Sequence, residues 1–451
     1  RVHLVRGHLA APFATIADYS GAMTPSCSRS IWVVGVGFTG LATAILLQQM
    51  GYSICLYEKS SHLGGIMRDE YVNGAPRMRG CHILHQDVAT QLLEPWNLVT
   101  LLEARRNSVS SSTKIRQQEY WLSGCEGPLI DYVPTENDAL AFPASGAPES
   151  VQSRIDRYPS EIRSHLRDLC DVIGLDVVHT WSPSLQALQM NRFFPMHADM
   201  EELKKLKSDS PVIDNLFGLV GLSDRTVFLP TDGYTNLFAE MQNMMQATGI
   251  CLHLNERVRP AKEDEDLVFY NSNGQRSEIG GVWCASPTVL QASLDKGNSL
   301  DNSPMTHEFW HIKVRQPLEA TMSYIQYFGH PHAIVRATTY AYGGTQHAVI
   351  ERVSKRGQTT SPSEHDLMQC VVDLDLEPIE IEGGSKTATY PVVSINDFLR
   401  LSALEQGLRG VDWVHGAWLN FGRTAKIQAI SKSLQEWAHE RWSGKLQGTA
   451  T

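Results

Sequence analysis

The sequence predicts an α/β protein in which a parallel-sheet domain is interrupted by a helical insertion and by an antiparallel sheet. Three observations lead there. A glycine-rich turn sits between a short apolar strand and an apolar helix near residue 35. Between about residues 151 and 220 the apolar spacing turns helical. After residue 225 mixed α/β texture returns, and residues 308 to 353 alternate as strands do.

The opening element is "IWVVGVGFTGLATAILLQQMGYSICLYEKSSHLGG". Ile31 to Val34 reads as a buried strand running into Gly35, Gly37 and Gly40. Gly35 permits the tight turn, Gly37 lets backbone approach a pyrophosphate, and Gly40 allows close helix–strand packing. An apolar helical stretch follows over Leu41 to Met50, whose N-terminal N–H groups and dipole favour phosphate. Phe38 and Thr39, in the turn before it, join the cofactor candidates. A second strand, Ile54 to Tyr57, ends in Glu58 and Lys59. An acid about 20 residues past the glycines suits ribose hydroxyls. Strand, turn, helix and acid together predict a Rossmann-like dinucleotide-binding unit.

Farther on, "VATQLLEPWNLVTLLEA" reads as a helix entering a strand, and residues 134 to 150 as a loop. Helical pieces follow, including "SRIDRYPSEIRSHLRDLCDVIG" and "DMEELKKLK". "DGYTNLFAEMQNMMQA" is a helix from Tyr234 to Ala247, and Ile250 to Leu254 a strand. "DLVFYNSNGQRSEIGGVWCASP" predicts a hairpin about Asn273-Gly274 and then a buried strand. "GVDWVHGAWLNFGRTAKIQAIS" begins a strand, a turn and a closing helix. The expected domains are a dinucleotide-binding domain over 30–100, 225–300 and 400–451, a helical domain over 150–224, and a β-sheet substrate domain over 101–149 and 301–399. Residues 1–29 do not begin with Met, and Met23 is a candidate start. This segment is expected to be a tail, disordered or not native.

A net charge of −10 without a basic run argues against a nucleic-acid partner. No apolar run reaches the ~18 residues of a membrane span. Eight scattered cysteines without a C-x-x-C pair read as reduced thiols, so a cytoplasmic location is expected.

FAD is preferred over a nicotinamide for two reasons. Gly64 and Gly65 form a second glycine pair where backbone would meet the cofactor. "VHGAWLNFG", with Gly416 and Leu419, supplies a second turn before a helix late in the chain. Val258 and Ser286, which follow later strands, complete the candidate cofactor set. No second G-x-G-x-x-G occurs in a strand–helix setting. NADPH or another flavin reductant would therefore bind transiently or come from a partner; the oligomeric state stays open.

"RGCHILHQD" places His82 and His85 three residues apart, as two metal ligands on a helix face would be, but no remote third ligand is evident. "EKSSHLGG", "RGCHILHQD", "LPTDGYTNLFAEM" and "YPVVSIND" resemble, in order and character, segments of UDP-galactopyranose mutases and related amine-oxidase-type flavoproteins. The resemblance runs from about 31 to 440. It implies that His82 lies near flavin N5, not on a metal, and that Tyr390 lines the substrate pocket. It also implies three arginines that hold a diphosphate. In their places stand Pro183 after Trp181, Ala348 beside His347, and Trp418 in Gly416-Ala417-Trp418-Leu419.

The expected activity is therefore a flavin oxidoreductase acting on a small, non-nucleotide metabolite. The alternative is a mutase that uses reduced FAD N5 as a nucleophile on a sugar-like substrate. The catalytic candidates are His82, Trp181, Tyr342, His347 and Tyr390, for stacking and proton transfer. Tyr342 and its neighbour Tyr340 also fit one face of an ordinary sheet.

Overall fold

In the computed structural model, the described residues are 30–86, 89–115, 118–123, 148–156, 160–188, 226–263, 266–294, 300, 305–315, 321–355, 360–390, 392–409, 413–420 and 423–448. The expected tail, most of the 134–150 loop and the segment holding "DMEELKKLK" lie outside them.

The first strand, Ile31–Val34, is buried on both faces and pairs in parallel with Ile54–Glu58 and Gly281–Trp283. Cys251–Leu254 and Trp413–His415 complete a five-stranded parallel sheet. Covered on both sides, these strands read as continuous apolar runs. Ile31 and Val33 face one core, and Trp32 and Val34 face another rich in aromatics. The helix Phe38–Gln49 is buried almost all round because the closing helix Arg423–Gly448 packs over it.

A second, nine-stranded sheet carries the antiparallel texture read at 308–353. Its centre is Met305–Val314, Thr345–Lys355, Ile334–Tyr342 and Thr321–Phe328, extended by Leu102–Ile115 and Thr226–Pro230 to the short strand Leu84–His85. Ala348 and Ile350 face the helix Glu364–Val372, which opens with a capping box between Ser363 and Asp366. Val349 faces the opposite core, toward the parallel sheet.

Two expectations change. Asp266–Tyr270 pairs back on Arg259–Glu263, and the 273–274 turn is closed by a single Tyr270–Arg276 bridge. Asn271 Oδ1 accepts from the N–H groups of Asn273 and Gln275, so the side chain builds a local turn in place of a ladder. The buried strand ends at Trp283, and Pro287–Leu294 is a helix that periodicity did not announce.

Candidate functional site

The carboxyl ends of the parallel strands meet at one crevice. Gly35 takes φ +90°, and a Cβ there would lie 2.7 Å from Ala285 N; a Cβ on Gly40 would lie 2.0 Å from Gly35 O. Both glycines are fixed by packing. Gly37 differs: its added Cβ would meet only Gly65 Cα, at 4.0 Å, so open space lies above it. It caps Phe38–Gln49 without a side-chain hydrogen bond, leaving the helix N-terminus to an outside acceptor. Gly64 N donates to Val36 O at 3.0 Å, and Gly64 and Gly65 both have positive φ. This cradle, open over glycine at the start of a helix, fits a dinucleotide pyrophosphate.

Glu58 ends its strand half-buried, with Oε2 accepting from Val36 N at 2.8 Å and Oε1 from Ser60 N and Oγ at 2.9 Å. Lys59 is exposed and Thr39 half-buried, while Phe38 is buried in the core. Val258 is buried near Tyr57, on the stretch where Glu256 N reaches Glu58 O. Ser286 Oγ accepts from Thr288 N at the start of Pro287–Leu294. A Cβ on Gly416 would lie 2.7 Å from Trp283 O, so the turn to Leu419 closes tightly over the same strand ends.

His82 stands beside this cradle outside any helix or strand, with His85 on the short strand. That is not the helical face on which two such ligands converge. Among the described residues no group of three or more His, Cys, Asp or Glu gathers as metal ligands would. His82 Nε2 lies 3.1 Å from Ile66 O. A carbonyl only accepts, so Nε2 carries the proton and Nδ1 is the basic nitrogen. Tyr234 donates its hydroxyl to His82 O. Ile66 itself is 72% exposed at the rim of the cradle, an apolar surface for a ring to cover.

Tyr342 is buried and donates to Asp69 Oδ1 at 2.9 Å; Asp69 Oδ2 accepts from Thr235 N at 2.7 Å. Burial pushes the Asp69 carboxyl upward. His347 stacks on Tyr340 and sits 3.1 Å from Glu382, whose carboxylate takes both Nε and a terminal nitrogen of Arg77. Burial, aided by Arg77, pulls His347 down to about 4. Glu70, His311 and Tyr340 form a neighbouring buried chain of hydrogen bonds.

The structure joins His82 to Tyr342 through Tyr234, Thr235 and Asp69. Trp181 lies in the other core, stacked on Phe398 at 4.3 Å. Tyr390 pairs through its backbone with Met305, and its side chain lies outside the described residues. Sequence reading missed Asp69, Tyr234, Arg77, Glu382 and Glu351. The available signal was a charge set inside an apolar strand, as in "HAVIERV", because a buried charge demands partners.

Residues 33–96 match the family described as an NAD(P)-binding Rossmann-like domain. No curated protein sequence matches the chain. Among solved structures, a reduced UDP-galactopyranose mutase is similar at TM-score 0.58 and 15% identity, over 90% of this chain and 94% of that one. A putrescine oxidase redesigned in its cofactor binding is similar at TM-score 0.58 and 11% identity, over 91% and 99%. A putative protoporphyrinogen oxidase from Exiguobacterium sp. 255-15 is similar at TM-score 0.54 and 13% identity, over 92% and 99%. The fold is that of the UDP-galactopyranose mutase and the putrescine oxidase.

Proposed function

We propose that this chain is an FAD-dependent enzyme, specifically a flavin oxidoreductase acting on a small metabolite that is not a nucleotide. The observation that carries the reading is the His82 loop set against an open glycine cradle. Gly35, Gly37 and the start of Phe38–Gln49 would hold the pyrophosphate, Glu58 the ribose, and Gly64, Gly65 and Gly416 to Leu419 the remainder. When bound, FAD supplies a two-electron redox centre. The protein's part is to orient the substrate and to hold a proton at His82 Nδ1.

Charge argues against a diphosphate substrate. Ala348 faces the helix Glu364–Val372, buried Trp418 donates to Ala285 O, and Pro183 bears no charge. Arg77 is committed to Glu382 and Arg336 to Glu351. A diphosphate would need arginine forks that these positions do not offer. Tyrosines and a buried carboxyl suit an amine or alcohol better. The six described cysteines carry no disulfide, which supports a reducing, cytoplasmic setting. No described helix is long and apolar enough to cross a membrane.

One observation favours a second reading, a mutase using reduced FAD. His82 keeps its place by the cradle although the arginine positions have changed. The test is the visible spectrum of the purified protein under anaerobic addition of amines and alcohols, then of NADPH, with the released flavin identified. Bleaching by an amine or alcohol supports the oxidoreductase. Bleaching by NADPH alone, with slow reoxidation in air, supports the mutase. A colourless protein that refuses FAD sinks both.

A further inference from the structure

Glu351 lies on the strand Thr345–Lys355 and is fully buried. Its Oε1 accepts from Cys81 N at 2.7 Å; its Oε2 takes Arg336 at 2.6 Å and His307 Nε2 at 2.9 Å. A Cβ on Gly80, which adopts φ +77°, would fall 2.8 Å from that Oε2. The nine-stranded sheet therefore reaches through one carboxylate to the N–H of Cys81, the residue before His82. Burial pushes the carboxyl upward, but Arg336, His307 and the Cys81 N–H outweigh it and hold it below the usual carboxylate range. An ionised acceptor makes the stronger hydrogen bond.

His82 is then fixed at three points. Glu351 holds the Gly80–Cys81 peptide one residue upstream, Tyr234 holds the histidine's carbonyl, and Ile66 O holds its ring. The three anchors come from different parts of the fold. Tyr234 starts the helix Gly233–Ala247, Ile66 belongs to the cradle, and Glu351 to the nine-stranded sheet.

We infer that Glu351, neutralised by Arg336, is the positioning residue that sets His82 against the cofactor, so that the substrate sheet tunes the flavin through the Cys81 peptide. The inference rests on the flavoenzyme reading for its last link only. The link from Glu351 to His82 stands without any cofactor, and the two links are tested separately.

The experiment uses the full chain with 13C-labelled histidine, the His82 ring signal being identified by its loss in His82→Ala. The charge-free pair Glu351→Gln with Arg336→Gln keeps an acceptor for Cys81 N. It is expected to leave the His82 signal in place. Glu351→Leu with Arg336→Leu removes the acceptor and is expected to shift that signal. Glu308→Gln, which breaks the Arg352–Glu308 ion pair elsewhere in the sheet, is expected to lower the melting temperature without moving it. Should the leucine pair not fold, Glu351→Asp withdraws the carboxylate from Cys81 by one methylene and is expected to move the same signal. A His82 signal unmoved in every folded Glu351 variant overturns the inference.

With FAD bound, the leucine pair is expected to shift the flavin absorption band, and to add nothing in a His82→Ala background. Equal shifts in both backgrounds overturn the route through His82. If the wild-type chain binds no flavin, the functional reading fails, while the histidine signals still decide whether Glu351 positions His82.

Discussion

A Cβ built on Gly65 lies 3.1 Å from Gly37 Cα, so the two glycines of different motifs sit face to face across the cradle. The contact couples the first glycine turn to the segment that carries Ile66.

Gly37→Ala is expected to fold normally, because its methyl meets nothing closer than 4.0 Å. The methyl occupies the space a pyrophosphate needs. FAD affinity is expected to fall by about tenfold or more, the equivalent of about 1.4 kcal/mol, as read by flavin fluorescence titration. Gly35→Ala is expected to fail to fold, since its methyl meets Ala285 backbone at 2.7 Å with φ +90°.

His347 gives a sign-defined pH dependence. Its pKa is about 4 in the folded chain, below the ordinary 6.5. As pH falls from 6.5 toward 4, the unfolded chain takes up a proton that the folded chain refuses, so stability is lost in that window. The full loss is on the order of 3 kcal/mol by the linkage constant. Urea melts of His347→Gln and wild type, at pH 7 and pH 4.5, are expected to show a smaller acid loss in the variant.

Asp69 acts oppositely. Burial raises its pKa, so the folded chain holds a proton that the unfolded one releases. Its contribution is fully present below the unfolded carboxyl's pKa, and stability falls as pH rises through the window above it. Asp69→Asn is expected to flatten that fall. Tyr342→Phe, which removes the hydroxyl bonded to Asp69, is expected to cost about 1 kcal/mol by chemical denaturation.

Trp181→Ala is expected to lower stability by about 3 to 5 kcal/mol, because Trp181 packs on Phe398 in the aromatic core. Trp181→Phe is expected to retain most of the stability. If Trp181 also contacts substrate, the Phe variant raises KM without lowering the melting temperature.

The Rossmann-like part of the fold was legible because its signal is local. Gly35, Gly37, Gly40 and Glu58 announce themselves by spacing within one strand–helix–strand unit. The sheet half was legible only as alternation. Which residues face the site there depends on register between strands far apart in sequence. Tyr342 meets Asp69 across 273 positions, and Glu351 meets Cys81 across 270. No periodicity encodes such pairs. Trp181 likewise stacks on Phe398, 217 positions away, a pairing its own motif does not announce.

The order of the parallel sheet has a consequence for how the protein is made. The strand Ile54–Glu58 waits for its neighbour Cys251–Leu254, and the far edge waits for Trp413–His415. Domains generally fold as units during synthesis. Here the crevice is completed only where Gly416 closes on Trp283, a turn far along the chain from the first strand. A nascent chain stalled before that point would present the glycine cradle without the Gly416 turn that closes beside it.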